Sequence, residues 1–252
     1  MEPMLEVKNL SVGFEGKKGE KIAAVQKVSF RLYPGQVLGI VGESGSGKST
    51  VAKAVTRLIE PTEGSIFLKG QEITHVKGKE LRGIYKKIQM VFQSPGASFD
   101  PRRTLGDGIG ESLRNRKIPR KERERRVKEL MERCGLSCQL ASAYPRQVSG
   151  GQCQRAAIAR ALAAEPEILV CDEATSALDT TVQRQIMDLL MKLREERGLS
   201  CLFICHNLAL VQSFCHRVLV MEAGRIVEEG DANQVITSPV SDYAKRLVEA
   251  AQ

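Results

Sequence analysis

No apolar run in the 252 residues approaches the roughly eighteen needed to cross a bilayer. The acidic, proline-containing start, Met1-Glu2-Pro3, does not read as a secretory leader. A soluble, cytoplasmic chain is expected, one that can still dock on a membrane partner. Zinc-type spacing is missing as well. The seven cysteines include two C-x3-C pairs, Cys134/Cys138 and Cys201/Cys205, but no C-x2-C pair, and several lie in apolar segments. Buried, reduced thiols account for them. There is no internal repeat, low-complexity linker, long coiled coil or nucleic-acid-reading motif, and the length suits one α/β domain over 1–252.

Hydrophobic content of 42% and charged content of 27% are ordinary for a globular protein, while the net charge of +8 suits phosphate ligands, an anionic surface or nucleic acid. Much of the excess lies between Arg114 and Arg133, where glutamates interleave with the basic residues. That pattern reads as a solvated helix face, with a basic contact surface as the alternative.

The most informative stretch is Gly42-Glu43-Ser44-Gly45-Ser46-Gly47-Lys48-Ser49-Thr50, which fits G-x-x-x-x-G-K-[ST]. Before it, Val37 to Val41 reads as a strand buried on both faces; after it, Val51, Ala54, Val55 and Leu58 recur at helical spacing. Glycines let successive N–H groups point into one concavity at a helix N-terminus, which suits phosphate. Lys48 can reach the β- and γ-phosphates, and the Ser49 hydroxyl can bind Mg2+. A nucleoside triphosphate with Mg2+ is the expected ligand.

Around this loop, Met4–Val7 and Ala24–Tyr33 read as short strands joined through a charged loop, with Phe14 at its head either stacking on a base or serving as core. Ser65–Leu68, Ile88–Phe92, Ile168–Glu173 and Ser200–Cys205 read as further strands. Arg217–Met221 and Arg225–Glu228 read as a hairpin, and Asp242 opens a helical tail. Residues 95–163 carry helix formers and charge without a strand, as an inserted helical subdomain would. Gln93, Glu173 and His206 each fall at the carboxyl end of a strand, where ligands bind in open α/β sheets. Asp172 can hold Mg2+, and Glu173 can accept a proton from an attacking water; helix capping is the plainer role for Glu173. Ser149-Gly150-Gly151-Gln152 opens a helical run and offers a second anion site.

As a set and in this order, these motifs resemble the ATP-binding subunit of an ABC transporter over nearly the whole chain. Gly42–Thr50 matches its Walker A loop, Gln93 its Q-loop, and Val148–Gln152 its signature with valine for the first leucine. Ile168–Glu173 matches Walker B with the catalytic glutamate, Ser176–Asp179 the D-loop, and His206 the switch histidine, followed by Asn207 where aspartate is usual. Phe14 matches the adenine-stacking aromatic. Phe99-Asp100-Pro101-Arg102, Tyr144-Pro145 and the Ser238-Pro239…Asp242-Tyr243 segment are similar to the peptide and nickel uptake branch, its short nickel-importer ATPases above all.

The resemblance implies a P-loop NTPase core with a mainly parallel sheet, an N-terminal antiparallel β subdomain and an inserted α-helical subdomain. It implies hydrolysis of Mg-ATP with Glu173 as base and with Lys48, Gln93 and His206 in the catalytic set. Ser49, Gln93 and Asp172 would serve Mg2+. Phe14, the Walker A residues, Ser149, Gly150, Gly151, Gln152 and Asp179 would contact nucleotide, the signature residues and Asp179 from the opposite chain of a head-to-tail dimer. The implied partners are a second ATP-binding subunit (a copy or a sister), two transmembrane permeases received around Gln93 and Phe99, and indirectly an extracytoplasmic binding protein. That places the chain on the cytoplasmic face of the inner membrane, with no nucleic acid. A soluble ATPase acting on nucleic acid or ribosomes, and an exporter ATPase, are the alternatives.

Overall fold

The computed structural model describes residues 2–15, 21–175 and 178–250. The chain forms two compact units, Met1–Tyr85 with Ser200–Gln252, and Lys86–Leu199.

In chain order, β1 (Leu5–Glu15) and β2 (Lys21–Leu32) form a long antiparallel ladder. Leu5 and Val7 are buried on β1, and so are Leu10 and Val12, although the two pairs are out of phase by one residue. The slip is absorbed at Asn9, which adopts φ 49° beside a register shift; Lys27, also at φ 49°, does the same for Val25 and Val28 on β2. A bulge adds one residue and returns the next side chains to the core face. For this reason the strands run further than the short segments predicted from alternation, which these bulges interrupt.

Next come β3 (Val37–Val41), buried throughout, and α1 (Lys48–Val55). Then β4 (Glu63–Leu68) pairs antiparallel with β1, and the short β5 (Gln71–Glu72) pairs with β4. α2 (Gly78–Lys87) leads out of the first unit's opening segment. β5 and α2 had no counterpart in the expectations, since two residues and a single buried apolar position, Ile84, leave little pattern to read.

In the second unit, β6 (Ile88–Val91) is followed by a 3-10 turn (Pro95–Ser98), α3 (Leu105–Ile109), α4 (Glu111–Asn115), α5 (Arg120–Arg133) and α6 (Gly150–Ala163). Between Phe92 and Glu167 there is no strand. β7 (Ile168–Asp172) returns parallel to β6, and α7 (Thr180–Arg197) closes the unit. α5 buries Val127 and Met131 and turns its charged face outward. There Glu122 takes hydrogen bonds from Arg125 and Arg126, which hold its carboxyl down at about 2. The basic segment is thus largely a solvated, internally paired face.

Back in the first unit, β8 (Ser200–Ile204), α8 (Leu208–Phe214), β9 (Arg217–Glu222), β10 (Arg225–Asp231), α9 (Ala232–Thr237) and α10 (Asp242–Glu249) complete the chain. β3 lies between β8 and β9, parallel to both, and β10 pairs antiparallel with β9. The cysteines are all free, and all but Cys138 are buried. Burial raises the Cys134 thiol to about 12 and pushes Cys215 up as well.

Candidate functional site

In the first unit, β3 runs straight into the phosphate loop. The loop turns through three left-handed glycines, Gly42 (φ 148°), Gly45 (φ 83°) and Gly47 (φ 99°). Two of them have no room for a side chain: a Cβ on Gly42 would lie 2.2 Å from the Met221 carbonyl oxygen, and one on Gly47 2.5 Å from that of Ala24. Lys48 folds back into the loop with only 6% exposure. Its ammonium donates to the carbonyls of Gly42 (2.8 Å) and Glu43 (2.6 Å) and to Ser46 Oγ (3.2 Å). Such partners are what keep a buried cation tolerable. No side chain caps the N-terminus of α1, and no acidic residue lies in its first turn. Its leading amides and partial positive charge therefore suit an anion. Ser49 and Thr50 sit half-buried in that turn, while Glu43, Ser44 and Gly45 are exposed at the loop's crest.

The strand register carries His206 to the same edge. Ile40 pairs with Ile204, so two residues further on Gly42 and His206 emerge level. His206 is exposed, and Asn207 caps α8 by accepting the Leu210 amide at 3.1 Å. Asparagine caps a helix about as well as aspartate, so this departure from the family pattern leaves the local turn intact. Phe14, 46% exposed and paired with Ile22, is not a core residue.

In the second unit, the pairing of Val91 with Cys171 brings Gln93 level with Glu173. The Gln93 amide donates to Glu173 Oε2 at 2.6 Å. Glu173 adopts φ 49°, unusual for a residue with a side chain, directly after buried Asp172 at 3% exposure. Non-glycine residues in that region cluster at functional sites. The plainer capping role falls elsewhere: Asp179 caps α7, accepting the Val182 amide at 2.9 Å. Ser176 and Ala177 of the D-loop segment lie outside the described residues.

Ser149 caps α6 in a reciprocal box. Its Oγ accepts the Gln152 amide (3.2 Å), and Gln152 Oε1 accepts the Ser149 amide (3.0 Å). Gly150 and Gly151 then present the first-turn amides, with nothing within 4 Å of a Cβ on Gly150. The Arg160 guanidinium of the same helix donates to the Ser98 carbonyl and Oγ and lies 4.3 Å from the centre of the Phe99 ring. Phe99 is buried, so its ring shapes this turn and offers no contact surface.

Two contributors escaped the sequence reading. Arg160 looked like one charge among many in a helical run. Tyr243, marked only by its place in the Ser238–Tyr243 segment, has its hydroxyl against the phosphate loop, accepting the Glu43 amide at 2.8 Å. A separation of 200 positions left no local signal for that contact.

The family model described as "ABC transporter" matches residues 25–176. The chain is 44% identical to the oligopeptide transport ATP-binding protein OppF of Escherichia coli (strain K12), over 98% of this chain and 77% of that protein. It is likewise 44% identical to the glutathione import ATP-binding protein GsiA of the same strain, over 99% of this chain and 41% of that longer protein. Among solved structures, the dimeric post-hydrolysis state of the ATP-binding cassette MJ0796, bound to ADP and Pi, superposes with a TM-score of 0.86 at 32% identity. That match covers 91% of this chain and 99% of the cassette. A second, cbiO1 from Clostridium perfringens, part of the transporter complex cbiONQ, gives 0.79 at 27% identity, covering 94% and 92%.

Proposed function

The chain belongs to the ABC transporter family and is one of its ATP-hydrolysing importer subunits, and from that premise we propose that it drives the uptake of a peptide-class substrate. The observation that carries the reading is the phosphate loop closed around Lys48, in a chain similar throughout to oligopeptide and glutathione import subunits. Nickel or metal chelates rest on the branch features of the sequence alone.

The loop's amides and Lys48 bind the β- and γ-phosphates, offering full and partial positive charge where negative charge builds during phosphoryl transfer. Ser49 in the first unit would offer Mg2+ a hydroxyl and Asp172 in the second a carboxylate, each a hard oxygen donor of the kind this ion prefers. When bound, Mg2+ neutralises phosphate charge. Glu173 accepts the proton of the attacking water, and Gln93 holds its carboxylate in one orientation through the 2.6 Å hydrogen bond. His206 contacts the γ-phosphate, and Phe14 stacks on adenine. Ser149 and the amides of Gly150 and Gly151 meet the γ-phosphate held by a second ATP-binding subunit arranged head to tail, with Asp179 at the same junction. ATP thus favours a closed pair, and hydrolysis lets it open. Two permeases convert that cycle into transport on the cytoplasmic face of the membrane. No helix among the described residues is long and apolar enough to cross a membrane.

Glu173→Gln is expected to bind Mg-ATP normally and hydrolyse it at least about a hundredfold more slowly, the scale of a lost general base. Wild-type turnover would remove Glu173 from its role. Tagged and isolated in mild detergent with Mg-ATP, the same variant should bring two multi-span permeases with it. Recovery of ribosomes or nucleic acid in their place would favour a soluble ATPase.

A further inference from the structure

The peptide unit joining Gly42 to Glu43 is pinned at both ends. Its carbonyl accepts from Lys48 Nζ at 2.8 Å, and its N–H donates to Tyr243 Oη at 2.8 Å. A peptide group is planar and turns as one body, so whatever holds the N–H also aims the carbonyl. Gly42 places little restraint on this plane, because glycine tolerates backbone angles other residues avoid. The orientation must come from the partners.

Tyr243 is well mounted for this task. It is only 6% exposed, and it lies in the first turn of α10. Ser241 caps that helix by accepting the Ala244 amide at 3.1 Å. The Glu228 carboxylate of β10 accepts the amides of Val240 (3.0 Å) and Ser241 (2.7 Å), which fixes the approach of the chain. Arg246, one turn on, lies 5.7 Å from the centre of the Tyr243 ring and reaches Glu222 at the end of β9 (3.3 Å). The residue before it, Met221, presents its carbonyl to Gly42. Both ends of the first turn of α10 are therefore tied to the strands that wall the phosphate loop.

The geometry points to Tyr243 as a positioning residue of the nucleotide site: its hydroxyl sets the Gly42–Glu43 peptide plane and, through that carbonyl, the mooring of Lys48. This rests on the reading that the loop binds ATP. Tyr243 touches neither nucleotide nor the reacting atoms; it acts through the loop. The last described helix is accordingly part of the ATP site's framework.

The test is Tyr243→Phe, which keeps the ring and its packing and removes only the hydroxyl that accepts the Glu43 amide. It is made in the Glu173→Gln background, so that Mg-ATP is bound without turnover, and compared with Glu173→Gln alone by calorimetric titration. Loss of one hydrogen bond that orients a ligand-binding group predicts a Kd for ATP raised about three- to tenfold. Backbone amide exchange supplies the second readout: the Glu43 amide should exchange faster in the variant while the amides of β3 stay as protected as before. Equal affinity in the two chains overturns the inference, and so does a general loss of protection that includes β3, since that marks a loosened fold. Failure of the Glu173→Gln chain itself to bind ATP overturns the functional reading, and the inference falls with it.

Discussion

A Cβ on Gly47 would stand 2.5 Å from the Ala24 carbonyl oxygen, whereas one on Gly45 meets nothing within 4 Å. Both residues have left-handed φ, 99° and 83°. Gly45→Ala therefore carries the conformational cost alone, about 1–2 kcal/mol. Gly47→Ala adds a collision that only a backbone shift can relieve. We expect Gly45→Ala to keep measurable ATP affinity with a modestly lowered melting temperature. Gly47→Ala should lose binding and melt lower still, and calorimetric titration with thermal unfolding of the two variants checks the order. The same strain appears without glycine at Glu173, whose φ of 49° sits at the end of β7, where the Gln93 hydrogen bond also falls.

Among the elements, α10 depends on a titratable support. Partial burial works against ionisation of Glu228, but the Val240 and Ser241 amides and the Ser241 side chain outweigh it and bring its pKa below the usual 4.5. A carboxyl with a lowered folded pKa contributes stability above its unfolded value, and that contribution fades as pH falls through the folded one. The attachment of α10 should thus hold at neutral pH and weaken below about 4.5, with Glu228→Gln removing this part of the acid dependence. Amide exchange of Val240 and Ser241 against pH measures it directly, and an identical profile in the variant would refute the role. The supports of α6 differ in kind. Its Ser149/Gln152 box is local and readable from four consecutive residues. The mounting of α10 joins positions 12 and 13 residues apart to a contact 200 residues away, and no window on the sequence displays that.

For the molecule as a whole, the chemistry is divided. The first unit carries the phosphate loop, His206 and Phe14; the second carries Gln93, Asp172, Glu173 and the α6 N-terminus. The strands that end at these residues were legible because buried parallel strands read as apolar runs. Their levels were not, since only the pairings Val91 with Cys171 and Ile40 with Ile204 bring Gln93 beside Glu173 and His206 beside Gly42. Nor were the bulges at Asn9 and Lys27, which hide two long strands behind a broken alternation. Assembly is one level further from the sequence, and it can be tested at Ser149. Asp caps a helix as well as Ser, so Ser149→Asp should preserve α6 and its melting behaviour. It also sets a negative charge at the helix N-terminus, where the proposed pairing brings a γ-phosphate from the other subunit, and like charges there oppose closure. Where the pair is two copies of this chain, Mg-ATP is expected to double the mass seen by light scattering in the Glu173→Gln background. With Ser149→Asp added, ATP should still bind each chain's own loop while the mass stays that of one chain. Doubling that persists in the Ser149→Asp chain would show that α6 does not meet the partner's nucleotide, and the head-to-tail arrangement would be lost with it.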